Sequence, residues 1–551
     1  MKILVFTTDV IPLPGLPTSG TALRTFGLIQ GLKSHGHEVV ISVPTSALEG
    51  LKKAVDVASL AAGTQQLIRE LERTSFDAAN QNTVLAEVGP DAILCGHWPA
   101  MTLSTKPSQA LIVDLAGPHM LERHYQGAPN QVGAALGKLA VIANADYFIV
   151  SGPKQRLYFL SYLLRAAVDR PEQRIVEIVM PMNPELPARP VQSPGRYPRF
   201  VFGGVFLPWQ NPAPSLRQLK EELTTRSSGS LTLIGGKHPN YDIRLGIYEE
   251  LFRELAEHPQ VDTKPMLPYE EFIGSLANTD VAVDLMQWNL ERELAVTIRS
   301  TSYLWAGVPV IYNNYADLSR LIERYDAGWC IDPADPQALT TTLDEIYRSP
   351  ERVQLKSANA ERLAREVFSW DKAVEPLLSF LVKPETKRLR ETDIIVDFPD
   401  SAEYPLQAGT SIEQYFVCRI AGLTKVECRI ATHNRSLTKP LSMELYRLEG
   451  RGEFDRDTVS RKARHLVARE QLDSAALRNN EWHALDIEPI PDSAGAGYVL
   501  RIAADEPDAA NTASPWTLKG SPYPLLGLWY GNRQVDQAAL CFRTTCAGKL
   551  S

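Results

Sequence analysis

The chain has 551 residues, 44% apolar and 22% charged, ordinary globular usage that excludes a mostly disordered protein. At about 100–200 residues per domain, this length accommodates about three or four domains. Lys and Arg number 57 against 65 Asp and Glu, a net charge of −8, and this acidic balance disfavours a dedicated nucleic-acid binder.

Short apolar runs alternate with helical patterns from the start. Ile3–Phe6, Val39–Val43, Ala92–Leu94, Leu111–Leu115 and Phe148–Val150 read as strands. Thr21–Ser34, Gln65–Arg73 and Gln155–Ala167 read as helices between them. The opening apolar run is too short for a secretory leader, and no stretch is long and apolar enough to span a membrane. A cytoplasmic protein with reduced thiols is the expectation. No CxxC pair supports a zinc or redox site.

A second alternating series runs Phe200–Val205, Ser230–Ile234, Val281–Leu285, Val308–Tyr312 and Trp329–Ile331. Pro214–Leu223, Arg244–Leu255 and Ser300–Trp305 are its helices, and Pro336–Tyr347 and Glu351–Leu381 close it. Alternation of this kind predicts a mostly parallel sheet covered on both faces, here twice over. Pro181, Pro184, Pro187, Pro190, Pro194 and Pro198 mark an extended linker between the two units.

After Lys383 the runs become short, alternating and turn-rich: Ser411–Cys418, Val426–Thr432, Ser442–Leu448, Trp482–Ile487, Tyr498–Ala503, Leu526–Tyr530 and Ala538–Arg543. This spacing predicts a β-sandwich or jelly roll. The expected fold is therefore α/β plus all-β: Rossmann-like units over 1–183 and 184–383, then a β-sandwich over 388–551. The last helices of the second unit have the option of packing back on the first. Cys418, Cys428, Cys541 and Cys546 are expected in the sandwich core rather than in a disulfide framework.

Ligands of parallel sheets bind at the carboxyl ends of the strands, so polar residues there are the candidates. The Gly- and Pro-rich loop 12–20 ends at Gly20 and leads into a helix carrying Arg24. Glycine admits a ligand to the backbone, the helix start favours an anion, and Arg24 could pair a phosphate. His97 follows one strand, Asp114 lies in another and His119 is just beyond it. In the second unit, Gly203-Gly204 and Gly235-Gly236-Lys237-His238 follow strands, and Trp209 offers an aromatic face. For each, the plainer reading is an exposed or structural residue. Neither GxGxxG nor a Walker A sequence occurs.

The stretch Asn289–Tyr312 reads as loop, helix, glycine turn and strand. It resembles the donor-site segment of family 4 glycosyltransferases, the retaining enzymes of the GT-B fold. Ser19-Gly20, Arg24 and Gly36-His37-Glu38-Val39 are similar to that family's opening pattern. Gly236–Asn240, Pro268-Tyr269-Glu270 and Asp146–Arg156 are similar to a subgroup that builds bacterial surface polysaccharides. The resemblance spans about residues 1–382. It implies transfer from a nucleotide-diphosphate sugar, held mainly by the second unit, to a glycan or lipid-linked acceptor on the first.

It also implies no bound metal and no cofactor beyond the nucleotide-sugar co-substrate. The family clasps the donor with two acidic residues and a basic pair. Here Glu291 matches the first acid, Ser302 stands at the second, and no Arg/Lys pair follows Gly204. Arg24, Lys237 and Arg299 are the replacement cations, with His238 and Trp209 beside the donor. Asp114, His119 and Glu291 are the catalytic candidates. The C-terminal part resembles β-sandwich modules appended to such enzymes; Trp516, Tyr523, Trp529 and Tyr530 either form a sugar-stacking platform or fill a core or protein interface. Peripheral attachment at the inner face of the plasma membrane fits a lipid-linked acceptor. Two rivals stay open: a non-catalytic glycan-binding or scaffold relic, and another two-Rossmann enzyme such as a sugar-nucleotide epimerase.

Overall fold

The computed structural model describes residues 1–103, 108–166, 168–189, 197–238, 246–386, 392–435, 437–451, 463–474, 476–508, 511–520 and 526–547. The first unit is built on a six-stranded parallel sheet. Its order is Glu38–Ser42, Lys2–Phe6, Ala92–Gly96, Ala110–Asp114, Tyr147–Val150 and Ile175–Glu177. The second repeats the plan with Gly328–Ile331, Val310–Asn313, Val281–Asp284, Arg199–Val205, Ser230–Gly236 and Val261–Lys264. Central strands such as Ala110–Asp114 and Val281–Asp284 are buried throughout, because helices cover both faces.

Two strands not expected from the sequence are edge strands. Ile175–Glu177 has three residues, and Val261–Lys264 is exposed along most of its length. An edge strand needs no continuous apolar pattern, and charge on it discourages further pairing.

The helix Gly20–Ser34 is capped by Ser19, whose Oγ accepts from the Ala22 N–H at 3.2 Å. It starts at the cleft, and its Leu28, Ile29 and Leu32 enter the first unit's core. A Cβ on its Gly27 would lie 2.1 Å from the Pro181 carbonyl oxygen, and one on Gly31 would lie 2.6 Å from that of Trp370. The proline-rich connection is thus not a loose spacer over its described part. Met180 and Met182 are buried in the second unit's core, and Arg189 donates to the carbonyl of Thr279 and to Ser357 Oγ at 2.6 and 2.8 Å.

The chain crosses between the units a second time after Phe368. Val374, Leu377, Phe380 and Leu381 share a core with Ile3, Val5 and Leu28, and the Phe380 ring stacks on Tyr147 with centroids 4.3 Å apart.

The C-terminal part is an antiparallel sandwich. One sheet orders Thr392–Ile395, Phe542–Cys546, Leu423–Ala431 and Glu481–Ile490, with Ser514–Pro515 also on Leu423–Ala431. The other orders Arg464–Leu472, Leu441–Arg451, Ala496–Ala504, Ser411–Val417, Leu526–Tyr530 and Arg533–Val535. Alternate residues, among them Leu441, Met443 and Leu445, point into the core between the sheets. Cys418, Cys428, Cys541 and Cys546 are buried free thiols. Ala140 and Leu136, on the first unit's helix Gln131–Asn144, pack against the sandwich core. No helix among the described residues is long and apolar enough to cross a membrane.

Candidate active site between the two sheets

A cleft of about 720 Å³ opens between the carboxyl ends of the two parallel sheets. Gly20, Arg24, His97, Asp114, His119 and Glu122 line it from the first unit. Gly204, Trp209, His238, Glu291, Arg299 and Ser302 line it from the second. Topology explains the meeting: each follows, ends or abuts a strand at the carboxyl edge of its sheet. The walls approach each other closely. A Cβ on Gly20 would lie 2.9 Å from Ile298 Cδ1, and His238 Nε2 stands 3.9 Å from Asp9 Oδ2. Lys154 ties the units on a further side, its Nζ 2.7 Å from Glu293 Oε1 and 2.6 Å from the Tyr315 carbonyl.

Two of the catalytic candidates are held in ion pairs. Asp114 accepts from Arg24 Nε and Nη2 at 2.8 and 3.0 Å, and Arg24 Nη1 donates to the carbonyls of Ile178 and Val179 at 2.9 and 2.8 Å. This arginine therefore ties its helix to a strand end and to the connection between the units. Glu291 accepts from Arg292 Nε and Nη2 at 2.5 and 2.7 Å, with both side chains buried. Asn289 positions them, its Oδ1 accepting from the Arg292 N–H at 3.0 Å at the start of the helix Leu290–Leu294.

The replacement cations separate. Lys237 is exposed and does not line the cleft, so a diphosphate held there would not meet it. Arg299 does line it. Its guanidinium lies 5.2 Å from the Phe202 ring centroid and donates to the Val205 carbonyl at 3.0 Å and to Gln210. Gly204, at φ +129°, sits beside it; a Cβ there would be 3.7 Å from Arg299 Nε. Ser302 is buried, its Oγ donating to the Ile298 carbonyl at 3.0 Å. Trp209 is buried with its Nε1–H unpaired. Burial lowers the pKa of His238, and Asp9 opposes that shift.

His119 belongs to a cluster that sequence reasoning largely missed. Its ring stacks on His97, with centroids 4.9 Å apart and planes at 19°. Its Nδ1 is 3.4 Å from the Nζ of Lys138, which is 1% exposed. Burial, with Lys138 beside them, holds both histidines well below the ordinary range and hence neutral. Burial also lowers Lys138 to about 7 against the pull of Glu122. Glu122 is raised to about 7 by burial and by the like charge of Glu291. One sequence signal could have exposed Lys138: it is the single charge in the otherwise uncharged helix Gln131–Asn144.

The aromatic platform does not assemble as one face. Trp529 and Tyr530 are consecutive on a strand and point to opposite sides. Trp529 packs with Tyr415, Val417 and Leu448, whereas Tyr530 packs on the sandwich core and donates to the Pro405 carbonyl at 2.7 Å. Trp516 lies by the other sheet, its Nε1 donating to Asn480 Oδ1 at 2.8 Å. Tyr523 lies outside the described residues.

No protein-family model matches the chain, and no curated protein matches it. Solved structures do. A sucrose-phosphate synthase from Thermosynechococcus elongatus superposes with a TM-score of 0.51 at 14% identity, covering 69% of this chain and 98% of its own. A trehalose-6-phosphate synthase gives 0.50 at 12% identity, covering 70% of this chain and 100% of its own. At such identities the likeness concerns architecture: the two α/β units together have the GT-B fold, and a β-sandwich module follows them.

Proposed function

We propose that the chain is a glycosyltransferase that moves a sugar from a nucleotide-diphosphate sugar to a glycan or lipid-linked acceptor. The observation that carries this reading is the cleft itself: it is walled by two carboxyl sheet edges of a GT-B fold, with a cationic glycine turn on one side and a neutral histidine pair on the other. The donor diphosphate lies at Gly204 and Arg299, near the start of the helix Ile298–Trp305. Charge grows on the phosphate as the glycosidic bond breaks, and fixed donors there stabilise it without reorganising. The Trp209 Nε1–H is a further donor awaiting an acceptor. His119 faces the sugar, and the acceptor enters from the first unit.

Transfer with retention at the anomeric carbon, and a place in surface-polysaccharide assembly, follow the family resemblance. Leu157 and Leu164 are 72% and 65% exposed on the helix Pro153–Arg165, which ends on Arg165. Two exposed leucines one heptad apart suit peripheral contact with a membrane carrying a lipid-linked acceptor.

The test is a panel of nucleotide-sugars with nucleoside-diphosphate release as readout, and NMR of the product anomer. One donor is expected to turn over, with Arg299→Ala weakening its binding about tenfold, the equivalent of about 1.4 kcal/mol. Absence of donor binding across the panel would overturn the reading. The Arg24–Asp114 and Glu291–Arg292 pairs favour one alternative, a glycan-binding relic whose site has closed on itself. Glycan binding without donor binding identifies that case.

A further inference from the structure

We propose that Lys138 is a positioning residue for this transfer, fixing His119 from beneath the cleft as the neutral ring protonated on Nε2. The inference rests on the glycosyltransferase reading and concerns a residue outside the cleft lining. Lys138 reaches up from the helix Gln131–Asn144 between aromatic rings, its Nζ 4.6 Å from the Phe159 centroid and 5.6 Å from that of Tyr162. Among the described residues no carboxylate lies within ion-pair distance of it. A lysine buried in that way costs stability unless its cation is used. The polar atom it meets is His119 Nδ1, at 3.4 Å.

An ammonium has donors and no acceptor, so Nδ1 must be the bare nitrogen and Nε2 carries the ring proton. The parallel His97 ring restricts the plane of His119. A second positive charge beside Lys138 is disfavoured, so the ring stays neutral with its proton on Nε2. The device has a pH limit. The titratable groups around Lys138 are His97, His119, Glu122, Tyr158 and Tyr162, with Glu291 and Arg292 behind Glu122. As pH rises through about 7 Lys138 loses its charge, and its neutral amine can then accept a hydrogen bond, which admits the tautomer with the proton on Nδ1.

The experiment uses the full chain with 15N-labelled imidazoles, His119 being assigned with His119→Gln. In the wild-type protein, the Nδ1 resonance is expected at the unprotonated position at pH 6, and to move with a midpoint near 7. In Lys138→Met that midpoint disappears and His119 protonates at higher pH than in the wild type. kcat falls about tenfold while the donor KM stays within about twofold. Lys138→Gln, whose neutral amide donates the same hydrogen bond, restores the Nε2–H ring and most of kcat without the midpoint near 7.

A protonated Nδ1 in the wild type at pH 6 overturns the proposal. So does a Lys138→Met protein with unchanged spectra and kcat, an outcome that leaves the transferase reading standing. A wild-type protein that binds no donor removes that reading and the positioning role with it.

Discussion

Asp114 was a candidate as a polar residue at a strand end, and Glu291 as the first acid that the family resemblance implies, a carboxylate being a strong acceptor for sugar hydroxyls. In the fold each is saturated by a guanidinium, so their first duty is structural. Removing one partner of a buried pair leaves an uncompensated charge. Asp114→Asn, which strands Arg24, is expected to lower unfolding free energy by about 3–5 kcal/mol in urea titrations. A loss below about 1 kcal/mol would show the pair to be dispensable. Lys138 makes a pH-dependent prediction. Its pKa falls from 10.5 unfolded to about 7 folded. Below about 7 both states are protonated, and the folded state bears the full burial cost. Between about 7 and 10.5 the unfolded chain holds the extra proton, so stability rises with pH. Lys138→Met is thus expected to be most stabilising below pH 7. Its advantage should shrink at higher pH by at most about 1.4 kcal/mol per pH unit. A constant difference between pH 6 and 10 would contradict the assignment.

Elements follow their local patterns where burial is two-sided. Leu111–Leu115 was expected as a strand and Ala110–Asp114 is one; Thr21–Ser34 was expected as a helix and Gly20–Ser34 is one. The pattern fails where an element faces water. Arg464–Leu472 is a mostly exposed edge strand with no apolar alternation to announce it. The helix Gly20–Ser34 shows how an element is adapted to its neighbours. Alanine in a helix interior usually gains about 1 kcal/mol over glycine. At Gly27, however, the new Cβ would fall 2.1 Å from a backbone oxygen, an obstacle no rotamer change relieves. Gly27→Ala is therefore expected to destabilise by about 1–3 kcal/mol, with a lower thermal midpoint. An unchanged or raised midpoint would mean that the connection at Pro181 yields.

At the scale of the molecule, the helix Gln131–Asn144 joins two domains. Lys138 serves the cleft, while Ala140 and Leu136 pack on the sandwich. The sandwich thus packs against the helix that carries Lys138. Ala140→Glu, a charge placed at that contact, is expected to separate a sandwich transition from the rest in calorimetry and to lower the first unfolding step by several degrees. A superimposable thermogram would show the contact to be incidental. The alternation of strands and helices and the turn-rich third part were legible in the residues, because they depend on local periodicity and backbone chemistry. The residues also pointed to the carboxyl edges of the sheets as the place where a parallel fold binds ligands, and Gly20, Gly204, His119 and Arg299 line the cleft there. What depended on contacts distant in the chain was not legible. Arg24 and Asp114 are 90 residues apart and neutralise each other. Lys138 meets His119 only because two helices converge, and Trp529 and Tyr530 part because a strand alternates its faces. Local sequence determined which elements form and which edge carries the chemistry; tertiary packing alone decided which charges are spent on one another and which still face the cleft.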